Sequence, residues 1–287
     1  MTEETKNELM LANTQVEGGL VVAADFGDDE TLGYEGETAE DFSIPFIQLL
    51  QDNSPAVKKK SDKYIDGAEP GYFLNTVTNE LYNGDQGFLF QICFVEHCVI
   101  EWWPHGSDQG KGFVAKHDVN SKYVLECQRK AGKKYGKIPT DKGTELQETY
   151  SLWGIIPKGD NEMPDFAIVS ISSEKIKPYK NFNLSLGKFM LYNPRTKRKQ
   201  KVHKFAHLIR ITSKFVNKND YDFFTVIFEP ANIVGTMNEN LAASIQPPET
   251  INYQAAKKFH DLIVSGDVAA DFDSVESDVQ GEEDDLF

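Results

Sequence analysis

The chain has 287 residues, 40% of them hydrophobic and 11% aromatic, and a net charge of −15. That apolar content supports a real core, yet no run approaches the ~18–20 consecutive apolar residues of a membrane span. Three cysteines are too few for a disulfide framework, and the acidic start MTEETKNELM lacks the pattern of a secretory signal, so a soluble protein of a reducing, cytosolic compartment is expected.

The charge is unevenly placed. Residues 1–41 hold 12 acids and one base, and residues 267–287 hold 9 acids and no base. The stretch between them, 42–266, carries a net charge of +5. Such asymmetry is expected of a basic binding surface joined to acidic arms. The sequence therefore divides into a disordered acidic N-terminal arm (1–41), a folded domain (42–266) and a disordered acidic tail (267–287).

In chain order, the apolar run between Pro45 and Pro55 predicts a short helix packed on the domain. Strand signals follow at residues 71–79, 87–103, 122–128, 148–157, 165–172, 205–217 and 221–230. They are rich in Phe, Ile and Val and punctuated by Gly, Asn, Asp and Pro. Helical spacing appears at 172–190, with Pro178 expected to precede the helix start. A last helix is predicted over 252–266, with Ala255, Phe259, Leu262 and Ile263 on one face and Gly266 as its stop. The result is a mainly β fold with a few helices, in which the strands form a closed or nearly closed antiparallel sheet.

Residues 175–218 contain 13 Lys or Arg and no Asp or Glu. The bases are Lys175, Lys177, Lys180, Lys188, Arg195, Lys197, Arg198, Lys199, Lys201, Lys204, Arg210, Lys214 and Lys218. Tyr179, Phe182, Phe189, Tyr192, Phe205 and Phe215 are interleaved. Cations neutralise phosphates while aromatic faces stack on exposed bases, and single-strand binders need both parts. Of this set, Lys175, Lys177, Tyr179, Lys180, Phe182, Lys188, Tyr192, Arg195, Lys197, Arg198, Lys199, Lys201, Lys204 and Arg210 are the candidate DNA-binding residues. A solvated face is the ordinary fate of a charge run, but 44 residues without a carboxylate exceed what solubility needs. The densest point, 193–201, reads as a basic loop or hairpin tip. A second cluster from Arg129 to Lys137 either extends the same groove or is an exposed loop.

Other constellations are weaker. Trp102 and Trp103 end a strand, so one is expected in the core and the other outside. Cys93, His97, Cys98 and Cys127 could be assembled into a Cys₃His zinc site. Cys93 and Cys98, however, are five apart and face opposite sides of an ideal strand. Three half-buried thiols and no metal or other cofactor are expected. Asp160, Glu162 and Asp165 read as a polar turn. No P-loop, nucleophile elbow, HExxH or dinucleotide motif is present, so no enzyme activity is expected.

The tail runs DVAADFDSVESDVQGEEDDLF and closes on Asp284, Asp285, Leu286 and Phe287. Its carboxylates can compete with DNA phosphates for the basic surface, and the apolar pair suits a small pocket on a partner. This ending resembles the acidic, aromatic-terminated tails of single-stranded DNA-binding proteins from bacteria and tailed bacteriophages, although Leu-Phe replaces their common Pro-Phe. IPFIQLLQDNSP (44–55) with PGYFLNTVT (70–78) is similar to the opening of phage proteins of about this size. The resemblance implies an OB-like barrel core with insertions, coating of single strands in phage replication or recombination, and recruitment of partner enzymes through the tail in the host cytoplasm. A strand-annealing recombination protein, a phage structural or interaction protein and a nuclease are the competing readings.

Overall fold

Long alternations of β-branched and aromatic residues set the frame of the fold. The computed structural model describes residues 16–17, 20–21, 44–104, 106–159, 162–218, 221–268 and 270. Contacts divide the chain into two units, residues 1–41 and 42–287. In the first, β1 (Val16–Glu17) pairs antiparallel with β2 (Leu20–Val21). The remainder of the expected acidic arm lies outside the described residues. So does the tail beyond Ala270, including Asp284, Asp285, Leu286 and Phe287.

The second unit contains β3 (Phe46–Leu49), β4 (Phe73–Asn75), β5 (Leu81–Tyr82), β6 (Phe88–Trp102), β7 (Phe113–Asp118), α1 (Lys122–Ala131), β8 (Ile138–Pro139), β9 (Glu145–Ile156) and β10 (Asp165–Ser172). It continues with α2 (Ile176–Lys188), β11 (Met190–Asn193), β12 (Arg198–Lys201), β13 (Ile209–Lys218), β14 (Tyr221–Pro230), α3 (Met237–Ala243) and α4 (Ile251–Ser265). One sheet runs in the order β14-β13-β6-β9-β10-β3-β4-β5, with β7 added to β6 and β8 to β9. The fold is thus mainly β, as the sequence predicts.

The sheet is mixed rather than wholly antiparallel. β3 lies parallel to β10, with Phe46 opposite Ile168. It curls into a half-barrel, and its ends are tied by side chains. Gln51, just past β3, hydrogen-bonds the backbone of Phe224 in β14. Gly71 stands where a Cβ would fall 2.6 Å from the Phe224 ring, at φ +87, so only glycine fits this close approach.

Two expected elements are corrected. The run 122–128 is not a strand but helix α1. Ser121 caps it by accepting from the Val124 amide, and Gly132 ends it in the left-handed region. The segment between Pro45 and Pro55 is not a helix. It forms β3, followed by a 3₁₀ turn over Pro55–Val57. A short apolar run buried on both sides has no diagnostic period. Pro178 lies within the first turn of α2 rather than before it, a place where its missing N–H costs no helical bond.

Both faces of the sheet are covered. Leu146, Tyr150 and Leu152 alternate onto one face of β9, and Trp153 and Ile155 point to the other. On the first face α2 packs Tyr179, Phe182 and Leu186 over Phe90, Leu152, Ile211 and Phe228. Further along the same face, Val124 and Cys127 of α1 cover Val99 and Leu146. On the second face Ala255, Ala256 and Phe259 of α4 cover Ile100, Trp153, Ile155 and Ile168.

Candidate nucleic-acid interface

The basic segment folds as one continuous projection, α2 followed by the β11–β12 hairpin. Tyr179, Phe182 and Leu186 are its buried helical row. The 3.6-residue period places Lys177, Asn181, Leu184 and Lys188 on the opposite face. Lys177, Lys188 and Leu184 are all exposed. Phe189 then anchors the helix end in the core, and the chain turns into β11.

The hairpin is a two-stranded ribbon outside the main sheet. Opposite residues share a face, and the register pairs Met190 with Lys201 and Tyr192 with Lys199. The other face carries Leu191, which packs on the core, and Asn193. So the ribbon lies on Leu191 and presents Met190, Tyr192, Lys199 and Lys201 outward. Tyr192 is 61% exposed. The turn is built by Asn193, whose Oδ1 accepts from the amides of Arg195 and Thr196 at 2.9 and 3.2 Å. Lys197 closes it at φ +53. No carboxylate among the described residues pairs with Lys177, Lys188, Arg195, Lys197, Arg198, Lys199 or Lys201.

A helix face bearing Lys177 and Lys188 thus runs into a basic ribbon with an exposed aromatic ring. A family model described as Pam3 phage gp34-like protein matches residues 14–269. The chain belongs to that phage family. Comparison with curated proteins and with solved structures gave no match. The family match spans the sheet and all four described helices and stops before the acidic residues 271–287.

Not every candidate residue of this phage protein is on that surface. Tyr179 and Phe182 are 1% and 4% exposed and belong to the core, which corrects their assignment as stacking residues. Phe189 and Phe205 are buried as well. Lys180 is exposed, but it reaches Glu148 at 3.3 Å and lies over the Tyr150 ring. Lys175 sits at the start of α2, half-buried. Lys204 lies in a 3₁₀ turn after the ribbon, and burial lowers its pKa. Arg210 is in β13, where its guanidinium donates to the Gln86 carbonyl at 3.0 Å. The sequence pointed to a segment and not to which of its faces is exposed. The exposed Leu184 and Met190 carried no signal of their own.

The thiols do not converge. A bulge between Ile92 and Phe94 shifts the register of β6, so Cys93 and Cys98 both enter the α4 side of the core. This corrects the expectation that they face opposite ways. Cys127 is on α1, across the sheet. Burial raises the pKa of all three, that of Cys98 to about 12. Trp102 is buried and Trp103 half-buried. No helix among the described residues is long and apolar enough to cross a membrane.

A second polar cluster lies beneath α1. Glu101, fully buried, accepts hydrogen bonds from His117 at 2.7 Å, Tyr123 at 3.0 Å and the Thr144 hydroxyl. Burial pushes its pKa up, but these three donors outweigh burial and hold the carboxyl below its ordinary value. With both oxygens engaged it ties β6, β7, α1 and the β8–β9 turn together.

Proposed function

We propose that this phage protein binds single-stranded DNA as a non-catalytic coat, with the α2–ribbon projection as its contact surface. The observation that carries the reading is the outward face of the ribbon, where Tyr192 stands directly opposite Lys199 and beside Lys201. Lysines fix phosphates, and an exposed phenol ring offers a platform to an unpaired base. Lys177 and Lys188 on α2 extend the cationic path. Within this proposal the half-barrel is an OB-like scaffold, from which the parallel β3–β10 pair is a departure.

The acidic residues 271–287 act in this scheme as an intramolecular competitor for the same cations, and as the segment that replication or recombination enzymes would recognise. An annealing role would use the same contacts in a larger assembly.

A two-stranded basic ribbon also fits the major groove of duplex DNA, which makes duplex the informative competitor. The test is a titration of the full chain against labelled oligo-dT and a duplex of equal length at two salt concentrations. Salt-sensitive preference for the single strand supports the proposal. Equal or stronger binding to duplex moves the ribbon to groove recognition, and binding to neither removes DNA as the ligand.

A further inference from the structure

Three exposed aromatic rings stand out among the described residues: Tyr135, Tyr192 and Phe215, at 60%, 61% and 50% exposure. Each has an exposed lysine beside it. Tyr192 faces Lys199 across the ribbon, Phe215 follows Lys214, and Tyr135 follows Lys133 and Lys134. Apolar rings left in water are commonplace singly, and here each ring has a cation within reach of a phosphate beside a stacked base.

The Tyr135 site is a built loop. α1 ends at Gly132, and the chain returns to the sheet at β8. Lys130 pairs with Asp141, and Lys137 lies 3.8 Å from Glu145. Gln128 donates to the Lys134 carbonyl at 3.4 Å. These links hold the two flanks. Arg129, Lys133 and Lys134 between them have no carboxylate partner among the described residues, and the Lys134 ammonium lies 5.9 Å from the Tyr135 ring centre.

Its position matters most. α1 and α2 cover the same face of the sheet, α1 over the end of β6 near Glu101 and the ribbon base over the end near Gln91. The first is fixed by Leu146 opposite both Ile138 and Glu101. The second is fixed by Phe189 at the end of α2 and Leu191 of the ribbon, which pack in the same cluster as Phe90 and Leu152, and by Ile209 opposite Phe90. Between them lies the span of β6 from Gln91 to Glu101, ~30 Å at about 3.3 Å per residue. Lys177 and Lys180 on α2 lie on that same face, Lys180 reaching Glu148 beside Val99.

We infer that the loop carrying Arg129, Lys133, Lys134 and Tyr135 is a second contact for the same single strand. The strand then runs along one face of the sheet, from the ribbon over the exposed side of α2 to this loop. The inference rests on the single-strand reading above and gives it a length. At about 3.4 Å of axial rise per nucleotide of a stacked strand, ~30 Å corresponds to roughly nine nucleotides, within the ~4–16 known for such surfaces.

The test compares oligo-dT of about 6 and about 20 nucleotides, titrated by anisotropy with the full chain and with a Lys133→Ala, Lys134→Ala, Tyr135→Ala variant. These side chains are exposed and lie outside the Glu101 cluster, and a thermal melt checks that the variant is folded. The expected result is a loss of about tenfold or more on the long oligonucleotide and no change on the short one, which the ribbon holds. Tyr135→Phe, which keeps the ring, retains full affinity for the long strand. An unchanged affinity for the long strand, or equal losses at both lengths, overturns the second contact while leaving the ribbon in place. Failure of the unaltered chain to bind either oligonucleotide overturns the single-strand reading itself.

Discussion

The carboxamide of Gln51 makes a matched pair of hydrogen bonds with the backbone of Phe224: Nε2 donates to its carbonyl at 2.8 Å, and Oε1 accepts from its amide at 2.8 Å. A side-chain amide thus takes the place of a neighbouring strand at the free edge of β14. It draws the β3 end of the sheet to the β14 end and blunts an edge that would otherwise offer unpaired groups. Gln51→Ala leaves both backbone groups without protein partners, and a loss of about 1–3 kcal/mol is expected in urea unfolding. Gln51→Glu keeps an acceptor for the amide but loses the donor, so it also destabilises. A midpoint unchanged in both variants would mean that water replaces the bridge without cost.

Tyr192 and Tyr179 lie on the same projection with opposite environments, 61% and 1% exposed. Replacing each by Ala should therefore separate binding from folding. Tyr192→Ala should weaken single-strand binding by about 1–3 kcal/mol per stacked base and leave the unfolding midpoint alone. Tyr179→Ala removes a ring packed against Tyr150 and Phe228 and should cost about 3–5 kcal/mol of stability. If Tyr192→Ala binds as tightly as the unaltered chain, the ribbon contacts phosphate only.

His207 supplies a pH signature of folding. It is 2% exposed, and burial pushes its pKa down to about 4 from the ordinary 6.5. The unfolded chain then takes up the proton first as the pH falls below 6.5. Stability is fully present above that value and is lost as the pH drops toward 4. At pH 5 the loss is about 2 kcal/mol. Urea midpoints at pH 7 and pH 5 for the unaltered chain and for His207→Gln measure it. The drop between the two pH values should shrink by that amount in the variant, and an equal drop in both would locate the sensitivity elsewhere.

The acidic residues 271–287 compete with DNA in the proposed scheme. Removing them should tighten binding to oligo-dT, most clearly at low salt, where exposed charges are least screened. The gain should disappear when the cations of the ribbon are also neutralised. A deletion that leaves affinity unchanged or lowers it ends the competitor role.

The sequence was most legible where an element is long and has one wet and one dry face. β14 was expected at 221–230 and spans Tyr221–Pro230. α4 was expected at 252–266 and spans Ile251–Ser265. Legibility failed where length was short or burial two-sided. β3 is a four-residue strand, three of them apolar, too short to show a period, and its parallel partner β10 is more than a hundred residues away in the chain. The β-branched and aromatic residues of 122–128 suggested a strand. Ser121, Gly132 and the spacing of Val124, Cys127 and Ala131 were the helix signals that prevailed. α3 went unpredicted although Thr236 and Glu239 form a reciprocal capping box at its start. At the candidate site, charge density located the projection. Only tertiary packing could tell that Tyr179 and Phe182 turn inward while Tyr192 turns out, because the α2 period and the ribbon register assign faces independently.

Lys197, Arg198, Lys199 and Lys201 lie on one ribbon, all exposed and without carboxylate partners among the described residues. If each neutralises a phosphate, each releases its share of condensed counterions, and the logarithmic salt slope of single-strand binding carries about −0.7 per contact. The Ala variant of all four should flatten the slope by about 3 as well as weaken binding. The two effects are separable because loss of a stacking ring lowers affinity at every salt concentration without changing the slope. Arg198 shares its strand face with Gln200 and Asn193, toward the core side, while Lys199 and Lys201 flank Tyr192. Single replacements at 199 and 201 should therefore each remove a full contact, and Arg198→Ala the least. A slope that stays put in the fourfold variant would show that the phosphates run along α2 and not along the ribbon.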